Sequence, residues 1–160
     1  MGTYSEIIKK KKKDWNCSGL MDSAVAERGA KLPFSSPLLN YCTYGGIPRN
    51  QITEFFGDPG GGKSSTAIDI CKNAYEIFQK EYAEKVANTS DKIKLEELED
   101  LGPKRILYVD LEHSFDGAWA KSLGIEPGTI DIMQPPDVFA EDILQTVQEL
   151  IETGQLGLVA

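Results

Sequence analysis

An α/β fold with a mainly parallel sheet flanked by helices is the class this sequence predicts, and three stretches carry that prediction. The run Gln51-Ile52-Thr53-Glu54-Phe55-Phe56 is β-branched and aromatic, as suits a buried strand. It leads through glycines into a segment whose Ala67, Cys71, Ala74 and Phe78 fall on one helical face. Farther on, Ile106 to Val109 is the continuous apolar run of a parallel strand covered on both sides.

Between the first strand and its helix lies Gly57-Asp58-Pro59-Gly60-Gly61-Gly62-Lys63-Ser64, a G-x-x-x-x-G-K-S loop. Glycines there let successive backbone N–H groups turn toward a phosphate chain without Cβ clashes. The helix N-terminus adds a partial positive charge and unpaired donors. In a loop of this kind Lys63 reaches the β- and γ-phosphates of ATP, and the Ser64 hydroxyl ligates Mg²⁺. The alternative is a plain glycine-rich turn that contains Lys-Ser, and the order strand, loop, helix argues against it.

In chain order, residues 1–32 open with Ile7-Ile8 and the run Lys9 to Lys13. Such a run reads as an arm for nucleic acid or a membrane surface, or as a solvated terminus; terminal charge runs are usually the latter. Asp22 suits the N-cap of a short helix over 22–28. Pro33, Pro37, Gly45-Gly46 and Pro48 punctuate residues 33–50, with Leu38, Leu39 and Tyr41 forming a helical turn or a strand edge. The helix after the glycine loop is expected from Ser64 to about Tyr82. Residues 83–104 hold six acidic side chains among Lys85, Lys92, Lys94 and Lys104, with Leu95 and Leu98 the only strong apolar spacing. This is a solvated surface insertion, helical or mobile, before Gly102-Pro103.

The strand over 105–112 ends in Asp110 and Glu112, two residues apart and therefore expected on one face. Sites in open α/β sheets form beyond the C-terminal strand ends, which sets Glu112 across a crevice from Lys63. A short helix over 116–124 stops at Gly124, and Thr129 to Met133 is a short strand. Asp137 is expected to cap a helix that turns Phe139, Ile143, Val147 and Leu150 inward and ends at Gly154. Another buried strand begins at Leu156.

A length of 160 residues is one domain's worth of chain, and 41% hydrophobic with 26% charged residues is ordinary for a soluble globular protein. No apolar run approaches the length of a membrane span, and no apolar segment follows the N-terminal lysines as a signal peptide requires. Cys17, Cys42 and Cys71 are odd in number and lack C-x-x-C spacing, which fits reduced cytoplasmic thiols rather than disulfides or zinc. The net charge of −8 is uneven: residues 106–160 carry ten acidic side chains against Lys121 alone. That third of the chain is unlike a surface that tracks phosphates. It also contains no arginine, which argues against the acceptor site of a small-molecule kinase.

ATP hydrolysis needs a polarised γ-phosphate and an oriented water. Lys63 and Ser64 serve the first. Glu112 is the candidate for the second, with a strand-end surface acid as the even alternative. His113, the single histidine, has no Cys or His pattern around it that would make it a metal ligand. Spacing alone assigns Trp119 to core packing ahead of base stacking.

Gly45-Gly46-Ile47-Pro48, the glycine loop, the run from Tyr108 to Asp116 (Tyr-Val-Asp-Leu-Glu-His-Ser-Phe-Asp), Ala120 to Gly124 and Gln134-Pro135 together resemble the RecA recombinases, over roughly residues 33–78 and 104–160. The Glu-His pair is nearer the bacterial and phage branch. The resemblance implies a RecA-like P-loop NTPase core. It also implies a DNA-dependent ATPase of homologous recombination and DNA repair, using ATP and Mg²⁺. Such a protein forms a homo-oligomeric filament on single-stranded DNA and exchanges strands with homologous duplex DNA, in bacterial cytoplasm or that of a phage-infected host. Carried over position by position, Glu112 matches the water-activating glutamate and Trp119 an aromatic that stacks on adenine. Asp116 matches a carboxylate near the base, and Ser65 a P-loop hydroxyl near the phosphates. Residues 1–45 would be an oligomerisation arm and linker, and 46–160 the N-terminal part of the ATPase core with a charged insertion at about 79–104.

Three features depart from the family. The loop reads Asp58-Pro59-Gly60-Gly61 rather than in the usual proline-glutamate order. The insertion is longer than bacterial members carry. The residues that support Mg²⁺, sense the γ-phosphate and bind DNA have no counterpart here, so a fragment ending before the later core strands is expected. A RecA-fold helicase or clock-type motor, and an inactive nucleotide-binding fragment, are the other readings.

Overall fold

The computed structural model describes residues 30–136 and 138–160. The expected short helix over 22–28, the lysine run and Asp137 lie outside the described residues. Two small strands, β1 (Lys31–Leu32) and β2 (Ile47–Pro48), pair antiparallel around helix α1 (Pro37–Cys42). Ser36 caps α1, and Pro37 sits in its first turn, where a missing N–H costs nothing. After the glycine loop comes the long helix α2 (Lys63–Asn88), then α3 (Lys92–Leu101) and strand β3 (Arg105–Val109). Helix α4 (Gly117–Ser122), strand β4 (Asp131–Met133), helix α5 (Ala140–Glu152) and strand β5 (Leu156–Val159) follow. The three later strands form a parallel sheet in the order β4-β3-β5.

The core forms where α2 lies on β3. Ile70, Cys71, Ala74 and Phe78 of the helix meet Ile106 of the strand, with Leu32 and Phe34 closing one end. Cys71 and Ala74 are fully buried, so two small side chains let helix and sheet approach closely. A second cluster joins Ile68 of α2 to Ala120 of α4 and Ile125. Burial follows the predicted face at three of its four positions, and Ala67 is half-buried.

Several expectations are corrected. Residues 51–56 form no strand: Ile52 is fully exposed and Phe56 88% exposed, while Phe55 rests edge-on against Phe34 at 6.3 Å between ring centroids. A strand needs a ladder partner, and a cleft of about 1180 Å³ lined by Asn50, Ile52, Val147, Ile151 and Leu158 separates this segment from β5, the edge of the sheet. Helix α2 runs to Asn88, past the expected end at Tyr82, because nothing between them breaks a helix. Phe139 does not turn inward; it is the N-cap of α5 and 78% exposed. The strand from Leu156, expected to be buried, is an edge with Val159 38% exposed; the expectations for Asp110, Glu112 and Trp119 are corrected at the site below.

Gly46 packs its α-carbon against the β1 backbone. A Cβ there would sit 2.0 Å from the Leu32 carbonyl oxygen, at φ +116°. Gly128, at φ +85°, has nothing within 4 Å of a built Cβ. Gly46→Ala is therefore expected to cost about 3 kcal/mol and Gly128→Ala about 1 kcal/mol, read from urea midpoints. Cys71 is fully buried, and burial pushes its thiol up to about 12, whereas Cys42 is exposed. Iodoacetamide at neutral pH should modify Cys42 in the folded chain and Cys71 only after denaturation.

Candidate nucleotide site

The glycine loop bends into α2 with Gly57, Gly60 and Gly62 at φ values of 152°, 75° and 83°. The Gly61 N–H donates to the Asp58 carbonyl at 3.1 Å, closing the turn through Pro59 and Gly60. Gly62 is the N-cap of α2 in the left-handed conformation and offers no side chain to the first-turn N–H groups. No acidic residue stands in that turn. Built Cβ atoms on Gly57, Gly60 and Gly62 meet nothing within 4 Å, so open space adjoins the donors. These are the conditions under which a helix N-terminus accepts an anion.

Lys63 is the first residue of α2, and its Nζ donates to the carbonyl oxygens of Gly57 and Asp58, both at 3.0 Å. The ammonium is thus folded over the loop. Ser64 and Ser65 follow in the first turn. The Trp119 indole Nε1 donates to Ser65 Oγ at 3.1 Å, tying α4 to the start of α2. Trp119 is 48% exposed, so its ring is a surface group and not the core residue its spacing suggests. Asp116 caps α4, its Oδ1 accepting from the N–H groups of Ala118 and Trp119 at 2.8 and 3.0 Å.

Asp110 and Glu112 do not share a strand face, because β3 ends at Val109. Asp110 turns inward and is 5% exposed; Leu111, Glu112 and His113 are exposed in the turn that follows. The chain reverses at His113, whose φ of 52° is left-handed. Asp110 organises the reversal: Oδ1 accepts from Ser114 N at 3.2 Å, and Oδ2 accepts from Phe115 N and Gln134 Nε2, both at 2.8 Å. Sequence reasoning read Asp110 only as half of a carboxylate pair. The one local signal for its role was an aspartate at a strand end, just before a polar turn, where such a side chain can accept from nearby backbone amides.

Tyr108 stands on β3 between the loop and the turn. Its ring meets Phe115 edge-on at 5.1 Å between centroids. Burial, then the charge of Asp110, pushes its hydroxyl above the usual tyrosine range; Glu112 adds to the rise, and a hydrogen bond with Ser64 opposes it. Among the described residues no cluster of His, Cys, Asp and Glu forms a metal site of its own, and no helix is long and apolar enough to cross a membrane. The loop donors, the open space beside them and the Lys63 ammonium folded over the loop have the chemistry to hold an anionic group such as a phosphate.

No protein-family model matches the chain. Curated relatives do. The chain is 28% identical to Protein RecA of Thermus aquaticus over 115 residues, 72% of this chain and 26% of that protein. It is 28% identical to Protein RecA of Aquifex aeolicus over 129 residues, 80% of this chain and 30% of that protein. Against Protein RecA of Chlorobium chlorochromatii it is 28% identical over 142 residues, 89% of this chain and 31% of that protein. The chain therefore spans less than a third of the length of these relatives.

The Gln134 amide, then the Phe115 and Ser114 N–H groups, hold the Asp110 carboxyl below the ordinary carboxylate range against the opposing effect of burial. A lowered folded-state pKa contributes stability that is present above the unfolded value and lost as pH falls through the folded one. In an acid titration by NMR, the Ser114 and Phe115 amide protons should move together, with a midpoint below that of ordinary exposed carboxylates.

Proposed function

We propose, for a chain whose relatives mark it as a member of the RecA family, that residues 46–160 are the nucleotide-binding part of a recombination and repair ATPase. The observation that carries this reading is the glycine loop that ends in Lys63 at the head of α2, with free first-turn donors and open space beside them. Mg²⁺-ATP supplies the γ-phosphate whose charge the site must balance. Lys63 exchanges the Gly57 and Asp58 carbonyls for phosphate oxygens, and the loop amides hold the phosphate chain. Ser64 offers its hydroxyl to the ion. Glu112 orients the attacking water and accepts its proton. Trp119 lies against the base, with Asp116 beside it, and Ser65 faces the phosphates.

Residues 1–45 serve as arm and linker, and 79–104 as a surface insertion. Single-stranded DNA, homologous duplex DNA and filament neighbours are the partners. The acidic balance of residues 106–160 favours DNA contacts outside this stretch. The exposed segment 51–56 and the open edge of β5 favour slow hydrolysis by these 160 residues alone, since the segment leading into the loop pairs with no strand among the described residues. Robust phosphate release by the isolated chain would contradict that last statement.

The test is a titration with Mg²⁺-ATP followed by Trp119 fluorescence, in a Trp15→Phe background. The parent should bind saturably. Lys63→Ala should lose about 10- to 100-fold in affinity, the scale of a charge-assisted hydrogen bond. Glu112→Gln should keep that affinity and lose about 100-fold or more in single-turnover hydrolysis. Affinity indifferent to Lys63 would end this reading.

A further inference from the structure

We propose that Asp110 is a positioning residue of the nucleotide site, acting through the turn that carries Glu112. The proposal rests on the reading above, that Glu112 faces the terminal phosphate. A turn of exposed residues in which His113 adopts φ 52° gains little from packing, since Leu111 to Ser114 are all exposed, Leu111 to 60%. What holds it is one buried carboxylate with three donors converging on it. Two donors are the amides of Ser114 and Phe115, which close the reversal around Glu112. The third is the Gln134 side chain, from the residue directly after β4.

Asp110 itself is pinned at the strand end by its N–H, which donates to the Met133 carbonyl at 2.9 Å. Both sides of the hub are therefore tied to the sheet, and the exposed turn is clamped between them. Asp116, one residue after Phe115, begins α4 and so carries the same constraint to Trp119. Asparagine at position 110 keeps the shape but replaces one acceptor oxygen by a donor. That N–H₂ would face donors already present, so at least one bond is lost without a change of volume.

A readout that does not depend on turnover is the capture of aluminium fluoride beside Mg²⁺-ADP, which mimics the phosphoryl group in flight and needs the water-orienting carboxylate in place. Bound fluoride is followed by ¹⁹F NMR, and Mg²⁺-ADP affinity by Trp119 fluorescence. The parent should show bound fluoride resonances that Glu112→Gln removes. Asp110→Asn should bind Mg²⁺-ADP within about threefold of the parent, lose those resonances, and exchange its Ser114 and Phe115 amides at least tenfold faster, with the amides of α2 unchanged.

Fluoride resonances that survive in Asp110→Asn would overturn the proposal, as would a loss of ADP affinity above tenfold. A parent that binds ADP yet captures no fluoride overturns the role of Glu112 and the positioning role with it. A parent without Lys63-dependent ADP binding overturns the nucleotide reading itself. Should Asp110→Asn fail to fold, Gln134→Leu, which removes a single donor, is judged by the same criteria.

Discussion

The contact on which the structure depends is α2 pressed onto β3. Cys71 and Ala74 are small and fully buried, so the helix axis comes close to the sheet, and Ile70 and Phe78 wrap around Ile106. Burial of these side chains is worth roughly 1–3 kcal/mol each for the larger ones. The rest follows from that seat. It sets the start of α2, and hence the glycine loop, beside the C-terminal end of β3, where the turn through Glu112 begins.

The polar groups near the loop are held by short-range devices rather than by the core. Asp116 caps α4, Asp110 gathers the turn, Gly62 opens α2, and the Trp119–Ser65 bond joins the two helices. Apart from Gly62, each is a side-chain hydrogen bond at a place where apolar packing has run out. Exposed ion pairs add little by comparison: Arg105 meets Asp131 through two hydrogen bonds, but both side chains are about half exposed or more.

Much of this was legible in the sequence because it rests on periodicity and local chemistry. The buried face of α2, the apolar run of β3, the stop at Gly124 and the end of α5 at Gly154 all follow from patterns within about a dozen residues. Residues 51–56 escaped that logic. Their composition suits a strand, but a strand exists only when another offers it hydrogen bonds, and β5 lies across a cleft. Asp110 and Glu112 escaped it for a different reason. Alternation along a strand holds only while the strand continues, and β3 stops one residue before the first carboxylate. Phe139 was misread because hydrophobic identity says nothing about which turn of a helix comes first.

Helix α2 is 26 residues long, about 39 Å at 1.5 Å per residue, whereas the five residues of β3 extend about 17 Å. The helix outruns the strand it covers, and its buried residues stop at Phe78. Its last ten residues bury no side chain in full and lead to α3, which returns to the sheet at Leu101, whose carbonyl accepts from the Gln155 side chain just before β5. Length and charge there can drift, or foreign sequence be grafted near Thr89 and Ser90, while the glycine loop at the opposite end of the same rod keeps its seat.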